Sequence, residues 1–488
     1  MTMKKRLIGV VFAVFILLVV VACGNTTSES TTTASGNVTV SSGDVTSSPG
    51  GGDTTAGVEQ QSAADEGTAT AIDAQTTTIG GLPAEKRKLT LSERAVRTSL
   101  KDAIDRFETL HPDVEVVITD YAGDYDKFER DTYTRLMAGT ADDVIRAMGF
   151  SDMEMFDSGL LADFNLLMQN DPTFRESDYI MSVLKGAEYK GKLYTFPTNF
   201  TYSVFGVNSA YSEKLAEQYS QCETISRQQM IDMLRDLPGE NAYQHLISSA
   251  TADGLIQERL DTYIDYENKT CDFSNNGFVQ FITEIKDAGI PLVYEELYVA
   301  ESESDSAEAE DTALYPFEGA GVIPEYCTVF FPYTEQQPFS HYIPLVDEAG
   351  NILYGSEYAF CISEASENKD LAWEFVKFMV SSEGLGSSYL FPVQRSFYQS
   401  SVSAALTSSV ENTRTVANMD GETDEIVEQV MTIFDKHHGM PMKWTQYPES
   451  VKNILLESMR NFYDGILTAE QTAAELQNKM SLYLMEMK

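Results

Sequence analysis

The sequence predicts an α/β fold with a parallel sheet, and three observations support this prediction. Short runs of strand-forming residues alternate with longer runs whose apolar residues recur at helical spacing. The order strand, helix, strand, helix, strand is typical of βαβ units, in which the strands run parallel. Apolar residues make up 43% of the 488-residue chain, which is enough for a substantial core and for two or three domains.

The first predicted strand and helix open the ordered part of the chain near Lys86. The strand covers residues 89–91. The helix after it has an apolar face formed by Val96, Leu100, Ala103, Ile104 and Phe107. Pro112 ends this helix, and the run VEVVI at residues 114–118 indicates a buried strand.

A second helix and a third strand complete the pattern. The helix runs through Leu136 and Met137, a turn containing Gly139 follows, and residues 144–145 form the strand. In open α/β sheets, ligands bind at the carboxyl ends of the strands. We therefore expect a site near Asp120 and Tyr121, and near residues 149–152.

Three further helices are predicted towards the C-terminus. The first begins at Ser366, ends by Gly384, and has an apolar face of Leu371, Phe375, Phe378 and Met379. The second has an apolar face of Val451, Ile454, Leu455, Met459 and Phe462. The last opens at Thr468 with capping-box spacing to Gln471, and packs inward through Leu476, Met480, Tyr483 and Leu484. Residues 301–311 (ESESDSAEAED) form an acidic low-complexity segment that indicates a solvated loop.

The N-terminus predicts an exported lipoprotein. Lys4, Lys5 and Arg6 precede an uncharged apolar run of about 15 residues, shorter than the roughly 20 that a membrane-spanning helix needs. The run ends in Val-Val-Ala-Cys, which resembles the bacterial lipobox and places the acylated residue at Cys23. The alternatives are an ordinary signal peptide with a chance cysteine, or an uncleaved anchor.

The segment after Cys23 predicts a tether. Residues 24–84 consist mainly of Ser, Thr, Gly, Ala and Asp, a composition that cannot bury enough apolar surface to fold. We therefore assign residues 1–22 to a signal peptide and residues 23–85 to the lipidated cysteine and a disordered tether. The folded part would then stand on the outer face of the cell membrane, held by the lipid on Cys23.

Charge and cysteine content exclude several classes of function. The formal net charge of −41 repels nucleic acid, so we expect no nucleic-acid partner. Cysteines 222, 271, 327 and 361 show no metal-ligand spacing, and either a Cys222–Cys271 disulfide or buried free thiols are compatible with export. His437 and His438 are adjacent, unlike the pair of an HExxH motif. We expect neither a metal nor a cofactor.

Several motifs, in a fixed order, resemble the extracellular solute-binding proteins of sugar ABC importers (family 1). They are AIDRFE at 103–108 with HPDV at 111–114, LMAGTADDV at 136–144, SGLLAD at 158–163, GKLY at 191–194 leading to Pro197, and NKDLAWEF at 368–375. The ending, residues 465–486, is similar to a subgroup from Gram-positive bacteria. The matches extend over about 400 residues, while residues 212–338 depart from the family pattern.

The resemblance implies a two-lobe, periplasmic-binding-protein-like fold of class II type, with hinge-linked lobes and a central ligand cleft. We place lobe 1 at 86–203 and 348–397, and lobe 2 at 204–347 and 398–488. Ligand binding would shift the population from open to closed lobes, and the closed form would dock on an ABC permease. The resemblance implies a carbohydrate ligand and no catalysis, and we expect a monomer.

Candidate ligand contacts follow from position, because a chain with 25 Tyr and 25 Phe says little by abundance alone. A sugar site combines aromatic plates with hydrogen-bonding side chains. Tyr121 and Tyr125 follow the second strand, and Phe150, Ser151 and Asp152 follow the third. Tyr121 and Phe150 fit a role as core residues over the sheet equally well.

Further candidates lie at the proposed crossings between the lobes. Asn199 and Tyr202 lie beside the first crossing, and Tyr358 lies where the chain returns to lobe 1. Arg395 follows Phe-Pro-Val at residues 391–393, and a surface ion pair is the alternative for it. Trp444 lies among polar residues and turn formers, so we predict a stacking plate, with a surface cap as the alternative.

Other functions remain open at the level of sequence. One is an extracellular glycan hydrolase acting through two carboxylates; another is a sensory or adhesive lipoprotein with the same fold. Related folds also bind peptides, polyamines or metals. The chain contains no GxSxG motif, no Ser/Cys–His arrangement and no phosphate loop, so we predict a binding protein rather than an enzyme.

Overall fold

The computed structural model describes residues 86–147, 153–208, 222–226, 228–229, 251–287, 289–293, 314–317, 339–384, 390–417, 422–445 and 447–486. All of them lie in the unit that spans residues 80–488. The predicted signal peptide, lipidated Cys23, tether and acidic segment at 301–311 lie outside the described residues.

The first five described elements form two parallel crossovers. They are strand β1 (Arg87–Glu93), helix α1 (Thr98–Leu110), strand β2 (Val114–Asp120), helix α2 (Tyr125–Met137) and strand β3 (Val144–Arg146). Strand β1 lies between the other two and pairs parallel with both. The predicted α/β alternation and the parallel pairing are therefore confirmed.

Strand β2 differs from the prediction of a buried strand. It lies at the edge of its sheet, where only β1 pairs with it. Of its residues only Val114 is buried, and Val117 is 39% exposed. An apolar run gives the same sequence signal at an edge as in a sheet centre, because periodicity does not report which strands pair.

The remaining elements follow in chain order. The next are α3 (Met153–Asp157), α4 (Phe164–Asn170), α5 (Met181–Gly186), β4 (Phe196–Pro197), β5 (Asn199–Tyr202), β6 (Val204–Asn208), β7 (Ile225–Ser226), α6 (Ala252–Gln257), α7 (Leu260–Tyr263), β8 (Ile264–Asp265), β9 (Thr270–Cys271), α8 (Asn276–Asp287) and β10 (Leu314–Phe317). The last are β11 (Phe339–Val346), β12 (Ile352–Gly355), β13 (Ala359–Ile362), α9 (Lys369–Met379), β14 (Phe391–Pro392), α10 (Arg395–Ala417), α11 (Thr423–His438), β15 (Met442–Trp444), α12 (Glu449–Tyr463) and α13 (Ala469–Glu486).

Two larger sheets organise the chain. The first has the order β2-β1-β3-β13-β4, with β13 antiparallel to β3 and β4 antiparallel to β13. The second has the path β10-β6-β11-β12-β5-β14, and β7 and β15 pair parallel with β11 and β12. Strands β5 and β6 are separated by Ser203 alone, so the chain continues along one sheet as it leaves the first core.

The described residues form two main hydrophobic cores and one smaller cluster. The first core includes Leu91, Phe107, Phe196, Trp373, Tyr398 and Phe434. The second includes Phe273, Phe278, Ile282, Leu345, Leu455 and Leu476. The smaller cluster packs Tyr121, Ile145, Tyr194 and their neighbours. Two separate cores linked by shared strands are the packing expected of two α/β lobes.

Packing corrects one part of the predicted lobe assignment. Residues 398–488 were all assigned to lobe 2, yet Tyr398, Val402 and Phe434 of helices α10 and α11 are buried in the first core. Helix α10 follows strand β14 directly, and β14 pairs with β5 beside that core. Only the part after β15, helices α12 and α13, packs in the second core.

The C-terminal helices agree closely with the sequence pattern. Helix α9 begins at Lys369 rather than Ser366 and ends at Met379, before Gly384. The predicted capping box is confirmed, because Gln471 N donates to Thr468 Oγ1 at 3.3 Å and Thr468 N donates to Gln471 Oε1 at 2.9 Å. This reciprocal pair satisfies two backbone N–H groups that a helix start leaves unpaired.

The described cysteines are free thiols. Cys222 and Cys271 are both half-buried, and no disulfide joins them. Burial raises the pKa of the Cys361 thiol to about 12, which keeps it protonated and unreactive. Within the described ranges, no helix combines the length and apolar content that a membrane crossing needs.

Replacing Gly186 by alanine is expected to destabilise the fold by about 1–3 kcal/mol. A Cβ at Gly186 would meet the carbonyl of Met442 in β15 and approach Tyr354 Cε1 to 3.0 Å. Urea unfolding of the full chain measures the loss. Gly439→Ala is the control, because its Cβ would come no closer than 3.4 Å to Lys436 O. Equal stabilities for the two variants would contradict the prediction.

Candidate functional site

A polar cavity of about 380 Å³ lies against strands β5 and β12. It is lined by Thr201, Tyr202, Ser203, Gly254, Gln257, Glu258, Leu345, Leu353, Tyr354, Gly355, Thr445, Tyr447 and Lys452. These residues come from both sides of the shared sheet: β5 and β12 border the first core, whereas α6 and α12 belong to the second. The cavity therefore lies where the two lobes meet.

Strand β5 supplies hydroxyl groups to this cavity through its alternation. Phe200, Tyr202 and Val204 are buried in the first core, and the intervening Thr201 and Ser203 line the cavity. Successive side chains of a strand point to opposite faces, so the two sets are separated. The Thr201 hydroxyl is buried and has no hydrogen-bond partner.

The chain after β15 supplies a second unpartnered hydroxyl. Tyr447 is 5% exposed and lines the cavity, and its hydroxyl has no partner in the described part of the chain. Burial raises the pKa of Tyr447 far above its ordinary value, so the group stays a neutral donor and acceptor. Nearby, Thr445 N donates to Tyr354 O at 3.1 Å, which fixes this segment on β12.

The carboxyl edge of the first sheet carries a buried charge network. Arg146, the last residue of β3, lies 3.8 Å from Glu93 Oε2, and the two side chains are 9% and 5% exposed. Tyr358 Oη donates to the same Glu93 oxygen at 2.7 Å. The Arg146 guanidinium lies 3.1 Å from the centre of the Tyr358 ring, and Arg146 Nη2 donates to Glu357 O at 2.6 Å.

Arg94 lies next to this network at the end of β1. Its guanidinium lies over the rings of Tyr125 and Phe128, at 4.7 and 5.6 Å from their centres. The residue is 8% exposed, and its Nε has no hydrogen-bond partner. Burial and the charge of Arg146 lower the pKa of Arg94 from its ordinary value. Two arginines therefore share this edge.

The sequence prediction for Asn199 placed it against a ligand, and the structure gives it a clear internal role. Its Oδ1 accepts from Ser356 Oγ at 3.3 Å and from the backbone N of Glu357 and Tyr358 at 3.1 and 3.3 Å. Asn199 therefore holds the turn between β12 and β13. That turn positions Tyr358 on the carboxyl edge, where the Tyr358 hydroxyl donates a hydrogen bond to Glu93.

Tyr202, which the sequence predicted to face a ligand, is one of the residues that line the cavity, although most of its side chain is buried. Its side chain is 2% exposed and its hydroxyl lies 3.1 Å from His437 Nδ1 inside the first core. Tyr121 is also a core residue, 8% exposed and packed edge-on against Phe128 at 5.2 Å. Tyr121 therefore takes the core position that was the stated alternative for it, whereas a ligand contact of Tyr202 remains a prediction.

The other predicted residues take different positions. Tyr125 is 54% exposed at the start of α2, beside Arg94. Trp444 is half-buried and stacks on Tyr354, with ring centres 6.0 Å apart. Arg395 Nη2 contacts Tyr179 O at 3.4 Å at the start of α10. Phe150, Ser151 and Asp152 lie outside the described residues, as does Cys23, and their assignments remain predictions.

Sequence reasoning missed the residues that the structure brings together at these two places. Thr201 and Ser203 were overlooked in favour of the aromatic residue between them. Arg146 comes directly after the predicted strand at residues 144–145, and Arg94 comes three residues after the one at 89–91, positions that themselves could have marked them. Within the described ranges, no group of three or more His, Cys, Asp and Glu side chains has the arrangement of a metal site.

Two α/β cores that share crossing strands, with a polar cavity where they meet, define the class of two-lobe binding proteins, class II type. The chain belongs to the bacterial extracellular solute-binding protein family, whose model matches residues 102–413. Members of this family bind solutes outside the cytoplasmic membrane. No curated protein sequence matches the chain.

Solved structures show the same fold at low sequence identity. UspC of M. tuberculosis is 15% identical with a TM-score of 0.51, over 81% of this chain and 99% of that one. A candidate oligosaccharide periplasmic-binding protein from Synechococcus sp. MITs9220 is 14% identical with a TM-score of 0.50, over the same shares. A de novo designed esterase improved by directed evolution is 14% identical with a TM-score of 0.53, over 82% and 99%. At such identities the likeness concerns the fold alone.

Proposed function

We propose that this chain binds a carbohydrate in the cavity at strands β5 and β12 and delivers it to the permease of an ABC importer. One observation carries the proposal: Thr201 and Tyr447 line the cavity, and the hydroxyl of each is buried without a hydrogen-bond partner among the described residues. A buried polar group without a hydrogen bond costs about 1–3 kcal/mol, and a ligand rich in hydroxyls removes that cost. The oligosaccharide-binding description of the Synechococcus protein agrees with this ligand class.

The composition of the cavity favours a sugar over a peptide or a polyamine. The lining combines Tyr447 with the hydroxyl residues Thr201 and Ser203 and with Gln257. Aromatic faces with hydrogen-bonding edges match a sugar ring, which is apolar on its faces and polar around its rim. Trp444, next to Thr445, remains our proposed stacking plate.

We propose that lobe closure accompanies binding. Lobe 1 would comprise residues 86–203, 348–397 and helices α10 and α11, and lobe 2 residues 204–347 with α12 and α13. Because the cavity is lined from both lobes, a ligand there would hold them together and shift the population towards the closed form. We further propose that the protein is a monomer, anchored by a lipid on Cys23 to the outer face of the membrane.

A saccharide that saturates the site is expected to stabilise the full chain by about 2.7 kcal/mol at 100 times its dissociation constant, a clear rise in Tm. A thermal-shift screen of mono- and oligosaccharides, with amino acids, peptides and polyamines as comparison ligands, measures this. Stabilisation by the comparison ligands alone would reject a carbohydrate function.

Thr201→Val and Tyr447→Phe then test the cavity. Each removes a hydroxyl that the free protein leaves unpaired, so affinity should fall about tenfold per variant while the free protein loses no stability. The matched controls are Thr472→Val and Tyr398→Phe, which remove buried, unpartnered hydroxyls that do not line the cavity. Equal affinity losses in the controls would show that the cavity is not the site.

A further inference from the structure

The carboxyl edge of the first sheet holds two buried arginines, of which one forms an ion pair. Arg146 is paired with Glu93, and the two Glu93 oxygens are committed: Oε2 to Tyr358 and Arg146, and Oε1 to the backbone N of Arg94. Arg94 forms no ion pair or side-chain hydrogen bond among the described residues. The guanidinium of Arg94 is therefore without an ion-pair partner in the described part of the chain.

No described carboxylate forms an ion pair with Arg94. The charges of Glu129 and Glu93 act on it more weakly than burial and Arg146, so the pKa of Arg94 is lowered overall. Its aromatic neighbours stabilise a cation only modestly. Keeping a largely buried charge without a paired anion is unfavourable for the free protein.

The unpaired guanidinium of Arg94 is notable because the chain as a whole is strongly acidic. The formal net charge is −41, so an anionic ligand would be repelled by the protein as a whole. Arg94 and Arg146 place two buried cations at one edge of this acidic chain. A guanidinium also presents a planar fork that matches a carboxylate with two parallel hydrogen bonds.

We propose that the ligand is an acidic saccharide and that Arg94 binds the carboxylate of a uronic acid unit. The proposal rests on the proposed carbohydrate function and specifies its substrate class. Tyr125, 54% exposed beside Arg94, would offer its ring to the face of the same sugar unit. The carboxylate would form the ion pair that Arg94 does not form with any described residue.

The test measures the affinities of matched trisaccharide pairs for the full chain by calorimetry. The pairs are galacturonate and galactose, glucuronate and glucose, and mannuronate and mannose trimers. At least one acidic member should bind 30-fold or more tightly than its neutral counterpart, and added salt should weaken that preference. A neutral trimer that binds as well as or better than the acidic one would overturn the proposal and leave the carbohydrate function standing.

Arg94→Gln identifies the residue responsible. It should lower the affinity for the acidic trimer about 30-fold, change the affinity for the neutral trimer less than threefold, and raise the Tm of the free protein. Arg130→Gln is the control, since Arg130 is an exposed arginine on the same helix as Tyr125. If Arg94→Gln lowers the free Tm and keeps the acidic preference, Arg94 is a packing residue and the proposal fails.

Two further outcomes are decisive. Should Arg94→Gln not fold, Arg94→Lys retains the charge but not the planar fork, and a wild-type level of acidic preference in that variant would reject a two-bond contact. Binding of inorganic phosphate or citrate, with no binding of any trisaccharide, would reject both the acidic saccharide and the carbohydrate function.

Discussion

Replacing Arg146 by methionine is expected to reduce the free energy of unfolding by about 3–5 kcal/mol. The change removes the cation beside Glu93, whose side chain is 5% exposed and 3.8 Å from Arg146. It leaves a buried carboxylate supported by the Tyr358 hydroxyl and one backbone N–H. Breaking one side of a buried ion pair costs more than the pair itself is worth, because the partner stays desolvated. Urea unfolding of the full chain measures the loss.

Two further variants test this explanation. Adding Glu93→Gln to Arg146→Met removes the stranded charge, so the double variant should regain most of the loss. Arg87→Met breaks the Arg87–Asp113 pair, whose side chains are 56% and 62% exposed, and should cost far less than Arg146→Met, because water screens an exposed pair. A loss as small for Arg146→Met as for Arg87→Met would show that solvent reaches this edge.

The regular elements were predictable where local pattern and capping chemistry agree. The apolar faces of helices α12 and α13 are buried as the sequence indicates, through Val451 and Leu455 in one and Leu476 and Met480 in the other. The capping box at Thr468 fixes the start of α13 to within one residue. Both signals lie within a few residues, so a single sequence contains them in full.

Pairing between distant segments was not predictable in the same way. The run at 114–118 looks like a central strand, and only the absence of a second pairing partner makes β2 an edge. Helices α10 and α11 were given to the wrong lobe because residue order does not state which core a helix packs on. Their burial beside Phe391 of β14 depends on a strand pairing over roughly 190 residues, between β14 and β5.

The hydroxyl residues of strand β5 were not predicted. Tyr202 was predicted because an aromatic ring suits a sugar, and it does line the cavity, but alternation along β5 buries most of its side chain and adds Thr201 and Ser203 to the lining. Nothing in residues 199–203 states which face is the core. That assignment depends on β12 and β14, which pair with β5 from far along the chain.

A pair of histidines deep in the first core should make the stability of the fold sensitive to acid. His437 and His438 end helix α11 and are 4% and 5% exposed. The His438 ring lies 4.9 Å from that of Tyr398 and 5.1 Å from that of Phe200, and neither of its nitrogens has a hydrogen-bond partner. Burial lowers the pKa of His437 to about 4, and burial together with the charge of His437 lowers the pKa of His438 further below its ordinary range.

Stability is therefore expected to fall steeply as the pH drops from 7.5 to 5. The unfolded chain binds protons at histidines below pH 6.5, whereas folded His437 binds one only near pH 4, so acid favours the unfolded state across this window. The loss is about 2 kcal/mol for His437 by pH 5, and His438 adds to it. The variant with His437→Gln and His438→Phe removes both groups while keeping the aromatic packing around residue 438. Urea unfolding at pH 7.5 and pH 5 should show a smaller difference for this variant than for the wild type, and equal differences would mean that carboxylates alone set the acid sensitivity.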